Sequence, residues 1–135
     1  MDVKTAFLNG AIDEEVYIEQ PEGFEVNSRD SHVCRLKNDL YGLKQAPMAW
    51  YGRMDAYLLK IGFVKSIADL NLYIMVVNND PIIILLYVDD LFITCVEKII
   101  QECKNMLAVE FEMKDLGLMH YYLGLEVWSR PREIY

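Results

Sequence analysis

The sequence predicts an α+β fold, in which antiparallel strands form a sheet and two helices pack on one face of it. Two segments carry apolar residues at helical spacing. Between them, residues 70–95, "LNLYIMVVNNDPIIILLYVDDLFITC", form apolar runs separated by turn-prone residues, as expected for strands. The chain has 135 residues and is 53% hydrophobic, so it can bury the core of one modest domain.

Short strands are predicted in the N-terminal part of the chain. Its opening residues, "MDVKTAFLNG", indicate the end of a strand that runs into a turn at Asn9–Gly10. Residues 16–18 alternate in polarity and are stopped by Pro21. Residues 33–38, "VCRLKN", are typical of another short strand.

Two helices follow from residue spacing and end signals. Pro47 suits a first helical turn, and Gly62 suits a position just past a helix end. Between them one apolar face is formed by residues three or four apart, namely Trp50, Met54, Leu58 and Ile61. A second helix is predicted from Glu97 to Val109, with the same spacing at Ile99, Ile100, Cys103, Met106 and Leu107.

The segment between the helices predicts three strands, at Leu72–Val77, Ile82–Val88 and Leu91–Cys95. Asn78–Pro81 is expected to form the first turn. Asp89–Asp90 is expected to form the second, so that the last two strands are a hairpin. After the second helix, "FEMKDLG" and "HYYLGLEVW" predict a strand, a turn and a further strand.

The charge distribution bears on the partners of the protein. The net charge is −8 and the pI is near 4.7, which taken alone argues against nucleic-acid binding. Residues 35–65 nevertheless hold six bases and two acids, whereas residues 1–25 hold seven acids and one base. We therefore expect only the middle of the chain to attract phosphate.

Several functional classes are disfavoured by composition. Cys34, Cys95 and Cys103 show no paired spacing, which argues against a disulfide framework and favours a reducing compartment. Neither histidine belongs to a zinc-binding pattern. The N-terminal residues do not resemble a signal peptide, and the apolar run at residues 82–96 is too short to span a bilayer. We expect a soluble, intracellular protein with no membrane partner.

Asp89 and Asp90 interrupt the most apolar segment of the chain. Like charges this close repel each other, and burial beside apolar strands adds to the cost. Three interpretations are open. The pair could be a solvated β-turn, where Asp is common. One acid could be protonated or paired with a base such as Lys98, or both could hold a divalent cation.

Four motifs resemble those of reverse transcriptases. "YVDD" at Tyr87–Asp90 is similar to the family's Tyr-x-Asp-Asp motif, and "MDVKTAFLNG" resembles its first catalytic-aspartate motif. "LYGLKQAPMAWY", "LLYVDD" and "FEMKDLG…YYLGLEV" resemble the copia-type branch of LTR retrotransposons. The resemblance implies a palm fragment of a Pol polyprotein at residues 1–128, followed by a tail at 129–135. It also implies a palm-like antiparallel sheet that is incomplete, because the family's fingers and thumb are missing.

The resemblance implies the site of an RNA-directed DNA polymerase, with Asp2, Asp89 and Asp90 as its catalytic and metal-binding acids. The implied cofactor is a pair of Mg²⁺ ions, with Mn²⁺ as a substitute. A primer 3′-hydroxyl attacks the α-phosphorus of a dNTP, and ions roughly 3.5–4 Å apart stabilise the attacking and leaving oxygens. The implied partners are an RNA or DNA template with its primer, a dNTP and the remainder of the Pol polyprotein. The implied location is a cytoplasmic particle or the nucleus.

The resemblance also assigns nucleotide-binding roles to Phe7, Gly42, Lys44, Gln45 and Lys114. Phe7 lies where the family has an aromatic residue that packs on the incoming sugar, and a plain core Phe is the alternative. The loop that contains Gly42, Lys44 and Gln45 enters the first helix, where bare backbone and a helix N-terminus suit phosphate. Without the resemblance, Lys44 is only a surface base. Lys114 is placed near the triphosphate, or is an exposed loop lysine.

Leu123 and Gly124 resemble the primer grip, a hairpin that positions the primer end. The alternative is an edge hairpin with a Gly bulge. Because positioning supplies much of phosphoryl-transfer catalysis, we expect little or no primer extension from a palm without fingers or thumb. Other interpretations are a catalytically inactive retrotransposon remnant kept as a fold or interaction module, an RNA-dependent RNA polymerase, and a generic α+β binding domain.

Overall fold

The computed structural model describes residues 1–12, 14–25, 32–122, 124–127, 129–130 and 133–134. The helices are α1 (Ala46–Lys60), α2 (Glu97–Glu110) and a 3-10 helix (Ala6–Asn9). The strands are β1 (Asp2–Val3), β2 (Tyr17–Ile18), β3 (Cys34–Arg35), β4 (Val64–Lys65), β5 (Leu72–Val77), β6 (Asp80–Tyr87), β7 (Asp90–Thr94), β8 (Met113–Lys114), β9 (Tyr121–Tyr122), β10 (Leu125–Glu126), β11 (Ser129–Arg130) and β12 (Glu133–Ile134).

The main sheet has six antiparallel strands in the order β4-β5-β6-β7-β1-β8. Its centre is the meander β5-β6-β7, whose strands follow each other through two-residue turns. The strands β2 and β3, β9 and β10, and β11 and β12 form separate two-stranded pairs. The predicted α+β class with an antiparallel sheet is therefore confirmed.

Both helices pack on one face of this sheet, as the sequence predicts. Alternation along the strands buries Tyr73, Ile82, Ile84, Leu86 and Leu91 on that face. The helices contribute the facing side chains to the same core, chiefly Trp50, Met54 and Leu58 from α1, and Ile99, Cys103 and Leu107 from α2. The periodicity in the sequence thus identifies most of the buried stripe of each helix, but Met106, which it places on the apolar face of α2, is exposed.

The opposite face of the sheet, here called the open face, packs no helix in the described part of the chain. In the register of the sheet, Tyr87, Asp90, Asp2 and Lys114 lie side by side on it, one from each of β6, β7, β1 and β8. Half-buried apolar residues continue the open face away from this row, namely Leu72, Ile74, Ile83, Leu85 and Phe92. The acidic residues therefore border an apolar surface.

Helix α1 ends as the sequence predicts, and the hydrogen bonds explain why. Gly62 has a φ of 102°, which a residue with a side chain adopts at a cost. Its N–H donates to Leu59 O at 3.1 Å, and the N–H of Phe63 donates to Leu58 O at 3.0 Å. These two bonds form a Schellman motif, which satisfies carbonyls at the helix end.

Two sequence predictions about turns are wrong in detail. The first turn is Asn78–Asn79, with φ values of 51° and 74°, so Asp80 and Pro81 belong to β6. Positive φ at both central residues is the type I′ geometry that fits the twist of a hairpin, and Asn tolerates it. After β1 the chain forms a 3-10 helix at Ala6–Asn9 instead of running extended to Asn9–Gly10.

Neither α-helix in the described ranges has the length and apolar character that crossing a membrane requires.

Candidate active site

The hairpin of β6 and β7 turns one residue earlier than the sequence suggests. Tyr87 pairs with Asp90, so Val88 and Asp89 are the turn residues and Asp90 is the first residue of β7. Val88 has a φ of 54°, and Asp89 does not have positive φ. This is the type II′ pattern, in which glycine usually occupies the first central position. The conformation is unfavourable for a β-branched residue, so the surrounding structure must hold it.

Strand β1 brings Asp2 to this hairpin. The N–H of Met1 and the N–H of Leu91 each donate to the other residue's carbonyl at 2.7 Å, and the N–H of Val3 donates to Asp89 O at 2.8 Å. Asp2 and Asp90 are consequently direct partners at a non-hydrogen-bonded position of the ladder. Side chains at such positions lie close together on one face. The structure therefore places these two residues next to each other on one face of the sheet.

The electrostatics of Asp90 reflect this arrangement. Partial burial raises the pKa of its carboxyl, and the charges of Asp89 and then Asp2 raise it further. The N-terminal ammonium of Met1 opposes the shift, but its own pKa is lowered, mainly by burial. The three acids thus form a zone of negative potential that the ammonium offsets only in part. A divalent cation at this point would relieve the repulsion.

The three predicted acids do not form a closed metal cage. In the ranges that the structure describes, no group of three His, Cys, Asp or Glu side chains is close enough to hold a metal ion. The β1–β7 register brings Asp2 and Asp90 together. Asp89 lies in the turn, and its charge raises the pKa of Asp90. The oxygen-only donor set fits Mg²⁺, which is commonly held by one or two carboxylates and completes its shell with waters and substrate phosphates.

Lys114 lies on the strand beside Asp2, not in a loop. Its Cα is the register partner of Asp2 on β8, so its exposed side chain shares the open face with both paired acids. An ammonium at the edge of the acidic row is suitably placed to meet a phosphate that approaches the row. The register thus makes Lys114 a neighbour of Asp2, and its role near a triphosphate stays a prediction.

The structure connects Phe7 with the loop that precedes α1. Phe7 lies in the 3-10 helix that follows β1, and its ring is 4.7 Å from the ring of Tyr41 at an interplanar angle of 52°. Gly42 follows with a φ of 97°, and a Cβ built on it would meet nothing within 4 Å. Its conformation, not crowding within the chain, is therefore what favours glycine. The neighbouring side chains are exposed Lys44 and half-buried Gln45, which is the N-cap of α1.

Strands β9 and β10 form a hairpin where the sequence resembles the primer grip, and the structure describes part of it. Tyr122 pairs with Leu125, and exposed Gly124 lies between them with a φ of 83°. Leu123 lies outside the described residues. The hairpin belongs to a separate pair of strands, not to the six-stranded sheet.

The sequence predicts Trp50 only as a core residue, and the structure adds a contact with the acidic hairpin. The indole Nε1–H of Trp50 donates to Val88 O at 2.6 Å. The two residues are 38 positions apart in the chain. No local pattern signals this hydrogen bond, because it depends on how α1 packs against the sheet.

The structure thus has an acid-bearing hairpin beside a second acid-bearing strand. The family described as reverse transcriptase (RNA-dependent DNA polymerase) matches residues 1–134. The chain belongs to this family. Reverse transcriptases depend on divalent metal ions, and their activity is RNA-directed DNA synthesis.

The chain resembles parts of several transposon proteins. It is 45% identical over 129 residues to a retrovirus-related Pol polyprotein from transposon TNT 1-94 of Nicotiana tabacum, covering 94% of this chain and 10% of that protein. It is 40% identical over 136 residues to the one from transposon RE2 of Arabidopsis thaliana, covering 100% of this chain and 9% of that protein. It is 41% identical over 128 residues to a putative transposon Ty5-1 protein of Saccharomyces cerevisiae, covering 94% of this chain and 42% of that protein.

The chain thus spans about a tenth of the two plant polyproteins. No solved structure matches the chain.

Proposed function

We propose that residues 1–128 are the palm part of a copia-type retrotransposon RNA-directed DNA polymerase, and that residues 129–135 are a tail. In this proposal the site transfers a nucleotide from a dNTP to a primer 3′-hydroxyl. The observation that carries it is the direct pairing of Asp2 with Asp90 beside the Val88–Asp89 turn. This pairing joins acids that are far apart in the sequence, as a metal-dependent polymerase requires.

Each residue of the site has a defined part in this proposal. Asp2 and Asp90 would hold Mg²⁺ from adjacent strands, and Asp89 would add its carboxylate from the turn. When bound, a pair of divalent ions supplies stabilisation of the attacking and leaving oxygens. The remaining protein groups bind and orient the substrate.

The proposed nucleotide-binding residues come from β8 and from the segments around Phe7 and Gly42. Lys114 offers a positive charge to the triphosphate from the strand next to Asp2. Phe7 presents an aromatic ring to the sugar, backed by the ring of Tyr41. Gly42 lets the substrate approach the backbone, while Lys44 and Gln45 lie at the entry of α1, where a helix N-terminus favours phosphate.

The proposed partners are an RNA or DNA template with its primer, a dNTP and the remainder of the Pol polyprotein. The net charge supports the remainder of the Pol polyprotein as a partner. A chain with a net charge of −8 provides few of the bases that hold a nucleic-acid backbone, so other parts of a polyprotein must supply them. Leu123 and Gly124 are proposed to position the primer end.

One observation favours a second candidate, a catalytically inactive remnant that keeps only the fold. No three ligand-type side chains gather closely enough to hold a metal in the described residues. A remnant with this geometry would bind divalent ions no better than any acidic surface. The two candidates therefore differ in a measurable property, which is metal binding at the paired acids.

Titration of the purified chain with Mn²⁺, followed by the electron paramagnetic resonance signal of free Mn²⁺, separates the candidates. We expect Asp2→Asn and Asp90→Asn each to weaken Mn²⁺ binding by about tenfold or more, the size seen when a metal site loses a supporting group. Asp80→Asn is the matched control, because Asp80 lies at the far end of β6, about 23 Å from Tyr87 along an extended strand. Equal Mn²⁺ binding by all four proteins would favour the remnant.

Primer extension by the isolated chain gives a second, independent result. We expect little or no Mg²⁺-dependent extension of a DNA primer on an RNA template, because a palm alone positions its substrates poorly. Clear extension that is lost in Asp89→Asn would contradict this expectation and would show that the chain is sufficient for catalysis.

A further inference from the structure

The hydrogen bond between Trp50 and Val88 links helix α1 to the acidic turn. Trp50 is 1% exposed, and its indole N–H, the only polar group of the side chain, donates to the Val88 carbonyl at 2.6 Å. The acceptor belongs to the peptide between Val88 and Asp89. Trp50 therefore acts on the backbone that immediately precedes both hairpin acids.

Val88 needs an external restraint to keep its conformation. Its φ of 54° is in the left-handed region, which β-branched residues avoid. Its side chain is 49% exposed, so packing of that side chain provides little restraint. The hydrogen bond to the carbonyl of the same residue is a direct means of holding the turn.

Trp50 itself is held firmly. Its ring meets the ring of Phe111 edge-on, with centroids 5.4 Å apart and an interplanar angle of 84°. Its backbone lies close to Gly10. A Cβ added at Gly10 would lie 3.2 Å from Trp50 N and 2.9 Å from Asp39 Oδ2, so there is little space on this side of Trp50. A donor fixed on both sides can position a turn that would otherwise relax.

We infer that Trp50 is a positioning residue for the acidic hairpin. Its N–H holds the Val88 carbonyl so that the turn keeps Val88 left-handed and keeps Asp89 and Asp90 beside β1. The restraint extends to Asp2, because the N–H of Val3 donates to Asp89 O at 2.8 Å. The consequence for metal binding rests on the proposed function, whereas the consequence for the turn does not.

The simpler alternative is that Trp50 is only a core residue whose N–H has found an acceptor, as buried indoles usually do. A matched pair of variants separates the two explanations. Tyr57 lies two helical turns further along α1, meets the same Phe111 ring at 5.3 Å and 85°, and donates to Met106 O at 2.9 Å. Trp50→Phe removes a hydrogen bond to the hairpin, whereas Tyr57→Phe removes one to α2.

The main measurement is Mn²⁺ affinity, together with amide hydrogen exchange at Val3, whose N–H reports the Asp89 contact. We expect Trp50→Phe to weaken Mn²⁺ binding by about tenfold and to speed exchange at Val3. We expect Tyr57→Phe to lower the melting temperature while leaving Mn²⁺ affinity within about twofold of the original chain. Equal effects of the two substitutions, or no effect of Trp50→Phe on either quantity, would overturn the inference.

Relieving the strain at Val88 should give a result that a purely structural role of Trp50 would not produce. Glycine adopts positive φ freely, so Val88→Gly should make the turn less dependent on its restraint. In a Val88→Gly background, the loss of Mn²⁺ affinity caused by Trp50→Phe should therefore shrink to about threefold or less. An undiminished loss in that background would count against a role for Trp50 through Val88.

Two further outcomes remain interpretable. If Trp50→Phe does not fold, replacement of Trp50 by benzothienylalanine keeps the shape of the indole and removes only the donor, and the same comparisons apply.

If the original chain binds no Mn²⁺, the proposed metal site fails, and exchange at Val3 alone decides the inference. Faster exchange in Trp50→Phe but not in Tyr57→Phe supports it, and unchanged exchange refutes it.

Discussion

Asp90→Asn should stabilise the metal-free chain at pH 7, although it removes a proposed catalytic residue. Asp2 and Asp90 are direct partners at a non-hydrogen-bonded position, where Cα atoms are about 4.5 Å apart. For carboxylates roughly 5 Å apart, the repulsion is about 0.8 kcal/mol at the dielectric constant of water and about 3 kcal/mol at an effective value of 20. Asn is close to Asp in shape and carries no charge, so we expect a gain of about 1–3 kcal/mol.

The sign of the pH dependence follows from the pKa of Asp90. Burial, Asp89 and Asp2 raise this pKa above its value in the unfolded chain, so the folded state holds the proton to higher pH. The contribution of Asp90 to stability is therefore fully present below the unfolded pKa of about 3.9 and is lost as the pH rises through the folded pKa. The advantage of Asn over Asp should be absent at low pH and reach its maximum at neutral pH.

Urea unfolding of both proteins, without metal and at several pH values, measures this difference. The control is Asp80→Asn, for which we expect a change within about 0.5 kcal/mol, because Asp80 lies at the far end of β6. Added Mn²⁺ should stabilise the original chain more than it stabilises Asp90→Asn, since a ligand shifts the unfolding equilibrium according to its affinity for the folded state. A loss of stability in Asp90→Asn at pH 7, or a gain that persists unchanged at low pH, would refute the reasoning.

Two further predictions concern backbone conformation. Gly62→Ala should destabilise the chain by about 1 kcal/mol or more, because residue 62 has a φ of 102° in the Schellman motif that ends α1, and urea unfolding measures the loss. Asn79→Gly should stabilise it by a few tenths of a kcal/mol up to about 1 kcal/mol, since Asn-Gly is the preferred type I′ pair, and a rise in melting temperature checks this. Unchanged stability in both variants would show that these turns do not limit the stability of the fold.

The helices and the central strands are predictable from sequence because each buries one periodic face. Trp50, Met54 and Leu58 recur at helical spacing and are all buried, and Gly62 ends the helix through its conformation. Strand β5 has the predicted bounds, Leu72–Val77. The local sequence pattern and the tertiary packing agree in these elements, so the pattern alone is sufficient to predict them.

The turn of the acidic hairpin is not predictable in the same way. Local preference places it on Asp89–Asp90, because Val is one of the residues least suited to positive φ. The structure instead turns at Val88–Asp89, which moves Asp90 into β7 and makes it the partner of Asp2. A tertiary hydrogen bond from Trp50 opposes the local preference, and a sequence pattern cannot reveal it. The error falls at the candidate site, where local rules are most often overridden.

The candidate site is only partly predictable for a related reason. Motifs identify Asp2, Asp89 and Asp90 as residues of interest, but their spacing in the sequence says nothing about which two are adjacent. The β1–β7 register decides that, and it selects Asp2 and Asp90. The position of Lys114 depends in the same way on the pairing of β1 with β8.

The stability of Asp90→Asn also bears on the choice between a polymerase and a remnant that keeps only its fold. The acids stand at the end of a hairpin whose inner face buries Leu86 and Leu91, each of which contributes about 1.5–3 kcal/mol of apolar burial. That burial is enough to offset a repulsion of about 1–3 kcal/mol between the paired carboxylates. The fold therefore tolerates the acids without needing them, which supports the proposal that a divalent cation neutralises them. If Asp90→Asn proved less stable than the original chain, the acids would have a structural use, and their repulsion would no longer support a metal site at this hairpin.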